Sequence, residues 1–141
     1  MPVDEPYAGG VGSRREARER AVSLLYEAET KGVAPCAVLT ELPLPAEPFT
    51  AELVTGVDTH LDEVDDLLRA HAVDWRLERM PALDRAVLRL ATFELVHRPD
   101  IPVGAVISEA VELAKRYSTD ESGRFVNGML SAIAAKVRDP Q

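Results

Sequence analysis

Four arginines, Arg14, Arg15, Arg18 and Arg20, fall within seven residues near the start of the chain, against only Glu16 and Glu19, leaving a local charge of +2. Arginine suits phosphate because its planar fork donates two parallel hydrogen bonds, and its flat guanidinium also stacks on bases. On a helical wheel at about 100° per residue, Arg15, Arg18, Val22 and Tyr26 form a stripe roughly 100° away from the apolar stripe of Ala17, Ala21, Leu24, Leu25 and Ala28. The arginines then occupy a helix N-terminus, where free N–H groups and the positive dipole end add to the attraction for anions. The alternative is ordinary surface charge, with Val22 and Tyr26 widening the core face. The residues alone leave both open.

A second candidate is Phe125, beside Arg124 and after Gly123. An aromatic next to a cation at an exposed helix end can stack an unpaired base, a contact worth about 1–3 kcal/mol. It can equally be a core side chain packed on Met129. Other chemistry finds little support. Glu94 projects from the apolar side of its helix, but no His, Ser or Cys nucleophile accompanies it at helical spacing. A structural ion pair with an arginine is therefore expected rather than a general base. His60, His71 and His97 are scattered, with no HxxxH or HExxH spacing, so no metal site is read from them. Gly-rich phosphate loops are absent. No cofactor and no catalytic residue is expected.

The elements that must position these side chains read as helices throughout. The 141 residues suit one domain with a real core, 46% apolar but only 5% aromatic, hence built mainly of Leu, Val and Ala. No apolar run approaches the roughly 20 residues needed to span a bilayer. Cys36 stands alone, and a cytoplasmic location is the expectation. The net charge of −8 argues against broad nonspecific nucleic-acid binding. Asp58, Asp62, Glu63, Asp65 and Asp66 form an acidic run, read as a solvated helix face, with a basic protein partner as the sharper alternative.

Residues 1–12 read as a disordered leader. Ser13 to Glu16 reads as a capping box opening the first helix, which ends at Lys31 before Gly32. Pro35–Thr40 suits a short helix, and Pro43, Pro45 and Pro48 impose an extended loop. Helical spacing resumes over residues 50–72, with Gly56 or Thr59 a possible division. Trp75, Leu77 and Met80 form an apolar connector. Residues 81–97 are apolar nearly all round and mark the central buried helix. Val106, Ala110, Leu113, Ala114 and Tyr117 share one face of the next helix. A polar break follows, with Asp120 or Ser122 as cap, and a last helix opens at Phe125-Val126-Asn127-Gly128. Its interior Gly128 suggests a close helix–helix approach. The expected fold is all-α, about seven helices in two small lobes, near 13–72 and 73–138.

Three blocks in order carry a family resemblance: Arg14-Arg15-Glu16-Ala17-Arg18 leading into Leu24-Leu25-Tyr26; Leu83-Asp84-Arg85-Ala86-Val87-Leu88-Arg89 with Phe93-Glu94-Leu95; and Ile107-Ser108-Glu109-Ala110 through Leu113-Ala114-Lys115 to Phe125-Val126-Asn127-Gly128. Over residues 13–137 the chain resembles the NusB family of transcription antitermination factors. The resemblance implies a non-enzymatic RNA-binding protein that pairs with the ribosomal protein NusE. It implies binding of single-stranded boxA RNA in ribosomal RNA leaders, within a complex of RNA polymerase and other Nus factors. It places Arg14, Arg15 and Arg18, with Arg20, and Phe125 at the RNA, and Tyr26, Asp84 and Glu121 on the partner-contacting surface. Glu121 stands where the family commonly has Asp. His71 matches an aromatic position near the RNA surface. Two alternatives remain: an RNA-binding accessory domain of the kind preceding ribosomal RNA cytosine methyltransferases, for which 141 residues leave no methyl-donor domain, and a helical adaptor or self-associating homodimer that never meets RNA.

Overall fold

The computed structural model describes residues 11–72 and 76–138, with the side chains of residues 11–13 excepted. Among them are seven α-helices and no strand: α1 (Val11–Lys31), α2 (Pro35–Thr40), α3 (Pro48–Thr59), α4 (Leu61–His71), α5 (Ala82–His97), α6 (Val103–Tyr117) and α7 (Asp120–Val137), with one 3-10 turn at Leu77–Arg79. The all-helical expectation holds. The expected leader falls almost wholly outside the described residues, as does Trp75 of the apolar connector.

Helix α5 is the axis. Eleven of its residues, from Asp84 to Leu95, are buried, and it packs against α1, α3, α4, α6 and α7. Its apolar surface continues into the buried stripes of α1 (Ala21, Leu24, Leu25, Ala28), α3 (Leu53, Val54, Val57), α6 (Val106, Ala110, Leu113) and α7 (Val126, Leu130, Ile133), one contiguous cluster. Gly56 on α3 lets the helices approach closely. A Cβ there would lie 2.1 Å from the Phe93 ring. Gly32 adopts φ 70°, and Val33 N–H reaches the Ala28 carbonyl at 2.9 Å while Gly32 N–H reaches Glu29 at 3.1 Å. That left-handed turn ends α1 where the sequence said it would.

Three local expectations need correction, and one open choice is decided. Helix α1 already runs from Val11, so Ser13 lies inside it rather than at its cap. Of the two divisions open for the 50–72 region the chain takes Thr59, the last residue of α3. The cap of α7 is Thr119, whose hydroxyl accepts the Ser122 N–H at 2.9 Å, so the helix begins five residues before Phe125. A Cβ at Gly128 would meet nothing within 4 Å; the close approach of α6 and α7 is at Gly123, where a Cβ would lie 2.4 Å from Lys115 Cγ.

The arginines that reach into the interior are each met by acceptors. Arg85 forms an ion pair with Glu29 and donates to the carbonyls of Leu77 (2.9 Å) and Met80 (2.7 Å). Arg89 bridges Asp65 (2.8 and 2.9 Å) and Glu29 (3.2 Å). The Arg138 guanidinium donates to the carbonyls of Leu95, Glu94, Arg98 and Ile101 at 2.6, 3.3, 2.9 and 3.0 Å. It thereby clasps the end of α5 to the loop that follows.

Candidate nucleic-acid interface

The first turns of α1 bring the four predicted arginines to four different environments. Arg14 lies over the Phe49 ring, 4.6 Å from its centroid. Arg15 is exposed and grips Glu109 of α6 with two hydrogen bonds of 3.0 and 2.9 Å. That hydrogen bond and the positive charge behind it hold the Glu109 carboxyl below its usual range. Arg20 is exposed, with no ion pair among the described residues, and faces a cleft that also includes Leu42, Pro45 and Glu47.

Arg18 departs from expectation. It is 5% exposed and forks onto Glu94 of α5, with Nη2–Oε1 at 2.7 Å and Nε–Oε2 at 2.9 Å. The wheel put Arg18 beside Arg15, but the 100° offset from the Ala/Leu stripe turns it under α5 rather than outward. It is not carried forward as a phosphate contact, because its guanidinium is buried and forked onto Glu94, out of reach of a ligand at the surface. The same bond meets the expectation that Glu94 would be arginine-paired. Val22 is likewise buried, at 3%, so it widens the core as the plainer reading had it.

The start of α7 forms a second surface. Phe125, half-buried, lines a cleft with Met80, Pro81, Asp84, Thr119, Glu121 and Ser122. Asp84 is 3% exposed. One of its oxygens accepts the Ser122 hydroxyl at 2.8 Å, and the other has no hydrogen-bond partner among the described residues. Asp84 is thus the floor of this cleft, sited in the first turn of α5 where the helix dipole favours a carboxylate, rather than an exposed contact. Glu121 is exposed at the rim. Pro81 joins this cleft to a larger groove of about 610 Å³ lined by Glu19, Val22, Ser23, Tyr26, Ala82, Leu83 and Tyr117. Tyr26 and Tyr117 are 44% and 52% exposed there, and the Tyr117 hydroxyl donates to Glu19 at 3.0 Å.

Sequence reasoning missed a third contribution. The aliphatic stem of Lys115 lies against Gly123, which has no side chain to push it away, and Lys115, Arg124 and Asn127 line one shallow cleft between α6 and α7. Neither Lys115 nor Arg124 has an ion pair among the described residues. Arg116, one residue on, pairs with Glu19. The signal was present as Lys115-Arg116 at the end of α6 and Arg124 in the first turns of α7, but their convergence needs the helix pairing. The acidic run also resolves differently from a single solvated face. Asp65 is buried against Arg89, Asp58 accepts the Cys36 N–H at 2.9 Å, and Asp62, Glu63 and Asp66 are exposed. His71 places Nδ1 2.9 Å from the Leu67 carbonyl one turn back.

This is an all-helical protein with exposed cations and aromatics along α1, α6 and the start of α7. The NusB family model matches residues 15–135, and the chain belongs to the NusB family. It is 48% identical over 129 residues to the transcription antitermination protein NusB of Thermobifida fusca, covering 89% of this chain and 91% of that protein. With the protein of the same name from Kineococcus radiotolerans the identity is 44%, over 88% and 94%. Among solved structures, T. maritima NusB superposes with a TM-score of 0.79 at 36% identity, covering 87% of this chain and 91% of that one. A chain from the complex of antitermination factors NusB and NusE with double-stranded RNA superposes at 0.77, with 28% identity over 90% and 99%.

Proposed function

We propose that this protein is a non-enzymatic transcription antitermination factor that binds RNA together with NusE. The observation that carries the reading is near-complete superposition on a NusB chain solved with NusE and RNA, joined to the cation-and-aromatic surface described above. Arg14, Arg15, Arg20 and Phe125 remain the proposed RNA contacts, and Lys115 and Arg124 join them. Arg15, whose side chain is 44% exposed, reaches phosphate by leaving Glu109. Tyr26 and Glu121 are proposed to meet the protein partner, since each lines one of the two depressions that share Pro81. BoxA is the RNA proposed, and the cytoplasm the compartment.

The test is titration of a fluorescently labelled single-stranded boxA oligonucleotide, with and without NusE. Wild type is compared with Arg14→Ala/Arg20→Ala and with Lys115→Ala/Arg124→Ala. Loss of about tenfold or more in each double variant, with unchanged far-ultraviolet circular dichroism, supports the assignment. Equal binding by all three proteins removes both cation pairs from the RNA surface.

A further inference from the structure

His60 and His97 are 37 residues apart, one between two helices and the other at the end of a third, yet the fold stacks their rings with centroids 3.8 Å apart and 25° from parallel. His60 is the junction residue between α3 and α4, its N–H bound to the Gly56 carbonyl at 3.0 Å. His97 is the last residue of α5. Glu63, in the first turn of α4, presents Oε1 to both rings, 2.8 Å from His97 Nε2 and 3.6 Å from His60 Nδ1. One ligand atom from each of the three lies within 4.8 Å of the other two.

We propose that His60, Glu63 and His97 bind a divalent transition-metal ion of the zinc class. Two imidazoles and one carboxylate suit zinc, cobalt or nickel rather than magnesium or calcium, which prefer oxygen. Zinc bonds of about 2.0–2.1 Å in a tetrahedral site separate ligand atoms by roughly 3.4 Å, and the two carboxylate–imidazole distances bracket that value. The rings must fan apart to share an ion, which the broad χ2 profile of histidine permits. Behind them the buried Phe93 ring stacks at 6.0 Å from His60 and 5.4 Å from His97, so the imidazoles rest on a fixed wall. In front, the three side chains are between 29% and 48% exposed, leaving an ion a path in and a fourth position for water.

The surrounding charge favours a cation. His97 stands at the carbonyl end of α5, the negative end of its dipole. The adjacent Arg98 is drawn off by Glu52 (2.6 Å) and Asp100 (2.9 Å). An ion held here would fasten the α3–α4 junction to the end of the central helix. That role is independent of RNA binding, since none of the three residues belongs to the surface proposed for it.

The experiment uses tag-free, chelator-treated protein and zinc chloride in isothermal titration calorimetry. Wild type should bind one equivalent, His60→Gln and His97→Gln should each bind at least about tenfold more weakly, and His71→Gln should match wild type. Cobalt should perturb the ring-proton resonances of His60 and His97 but leave those of His71 in place, and zinc should raise the Tm of wild type but not of His97→Gln. Absence of zinc binding by wild type overturns the proposal. So does binding that survives both substitutions unchanged, or cobalt shifts centred on His71.

Discussion

Arg18 and Glu94, 76 positions apart in sequence, form a two-pronged ion pair that joins α1 to the central helix with both side chains out of water. Taking two charges out of water costs several kcal/mol per ion, and only their mutual geometry recovers it. Removing one partner leaves the other stranded. Arg18→Ala and Glu94→Ala should each lose about 3–5 kcal/mol, a large share of the roughly 5–15 kcal/mol that holds a domain of this kind together. Arg18→Met/Glu94→Leu should recover most of it. Urea unfolding midpoints decide the matter, and a midpoint for Arg18→Ala equal to wild type would contradict the burial seen here. A loss of RNA binding in Arg18→Ala would then reflect unfolding.

The glycines make opposite predictions. Gly128→Ala adds a methyl group to open space in a helix interior and should stabilise by about 0.5–1 kcal/mol. Gly56→Ala drives a Cβ into the buried Phe93 ring and should destabilise by about 1–3 kcal/mol. Thermal melting of the two variants should bracket wild type.

Acid should weaken the fold through two carboxylates. Hydrogen bonds from Arg85, with the charges of Arg85 and Arg89, hold Glu29 below its ordinary value of 4.5, and Arg15 does the same for Glu109. A carboxylate with a lowered folded-state pKa binds fewer protons folded than unfolded, so it contributes stability above its unfolded value and loses it as pH falls through the folded one. Tm should therefore hold nearly level from neutrality to about pH 5 and fall below that as these groups are protonated. In Glu29→Gln the acid-side slope should be shallower, from a lower starting Tm. An unchanged slope would remove Glu29 from the acid response.

Salt dependence counts phosphates. Each phosphate neutralised on a single strand contributes a slope of about −0.7 in log K against log salt. If Arg124 meets phosphate, Arg124→Ala should reduce the magnitude of that slope by about 0.7. A weaker affinity with an unchanged slope would assign Arg124 to protein contacts or stacking.

Helix content and the identity of the central helix were legible because apolar periodicity is a local property of the chain. Residues 81–97 carry apolar side chains on almost every face, and only a surrounded helix tolerates that. The fate of individual charges was not legible. Arg15 and Arg18 lie only about 60° apart around α1, yet one leans outward while the other faces α5, and the choice depends on where Glu94 stands. Likewise His60 and His97 look unrelated until α5 lies across the α3–α4 junction. Gly128 reads as the packing glycine from sequence, but Gly123 fills that role, and only the path of the partner helix distinguishes them. The cap at Thr119 was displaced from Asp120 and Ser122 because several adjacent polar side chains can cap, and the chain path alone selects among them.

Arg138 holds four carbonyls of α5 and the loop after it, yet it is made some forty residues later than they are. On the ribosome, none of them can gain that donor until Arg138 itself has left the exit tunnel. A nascent chain halted before Arg138 would lack the clasp that ties the end of α5 to the loop after it.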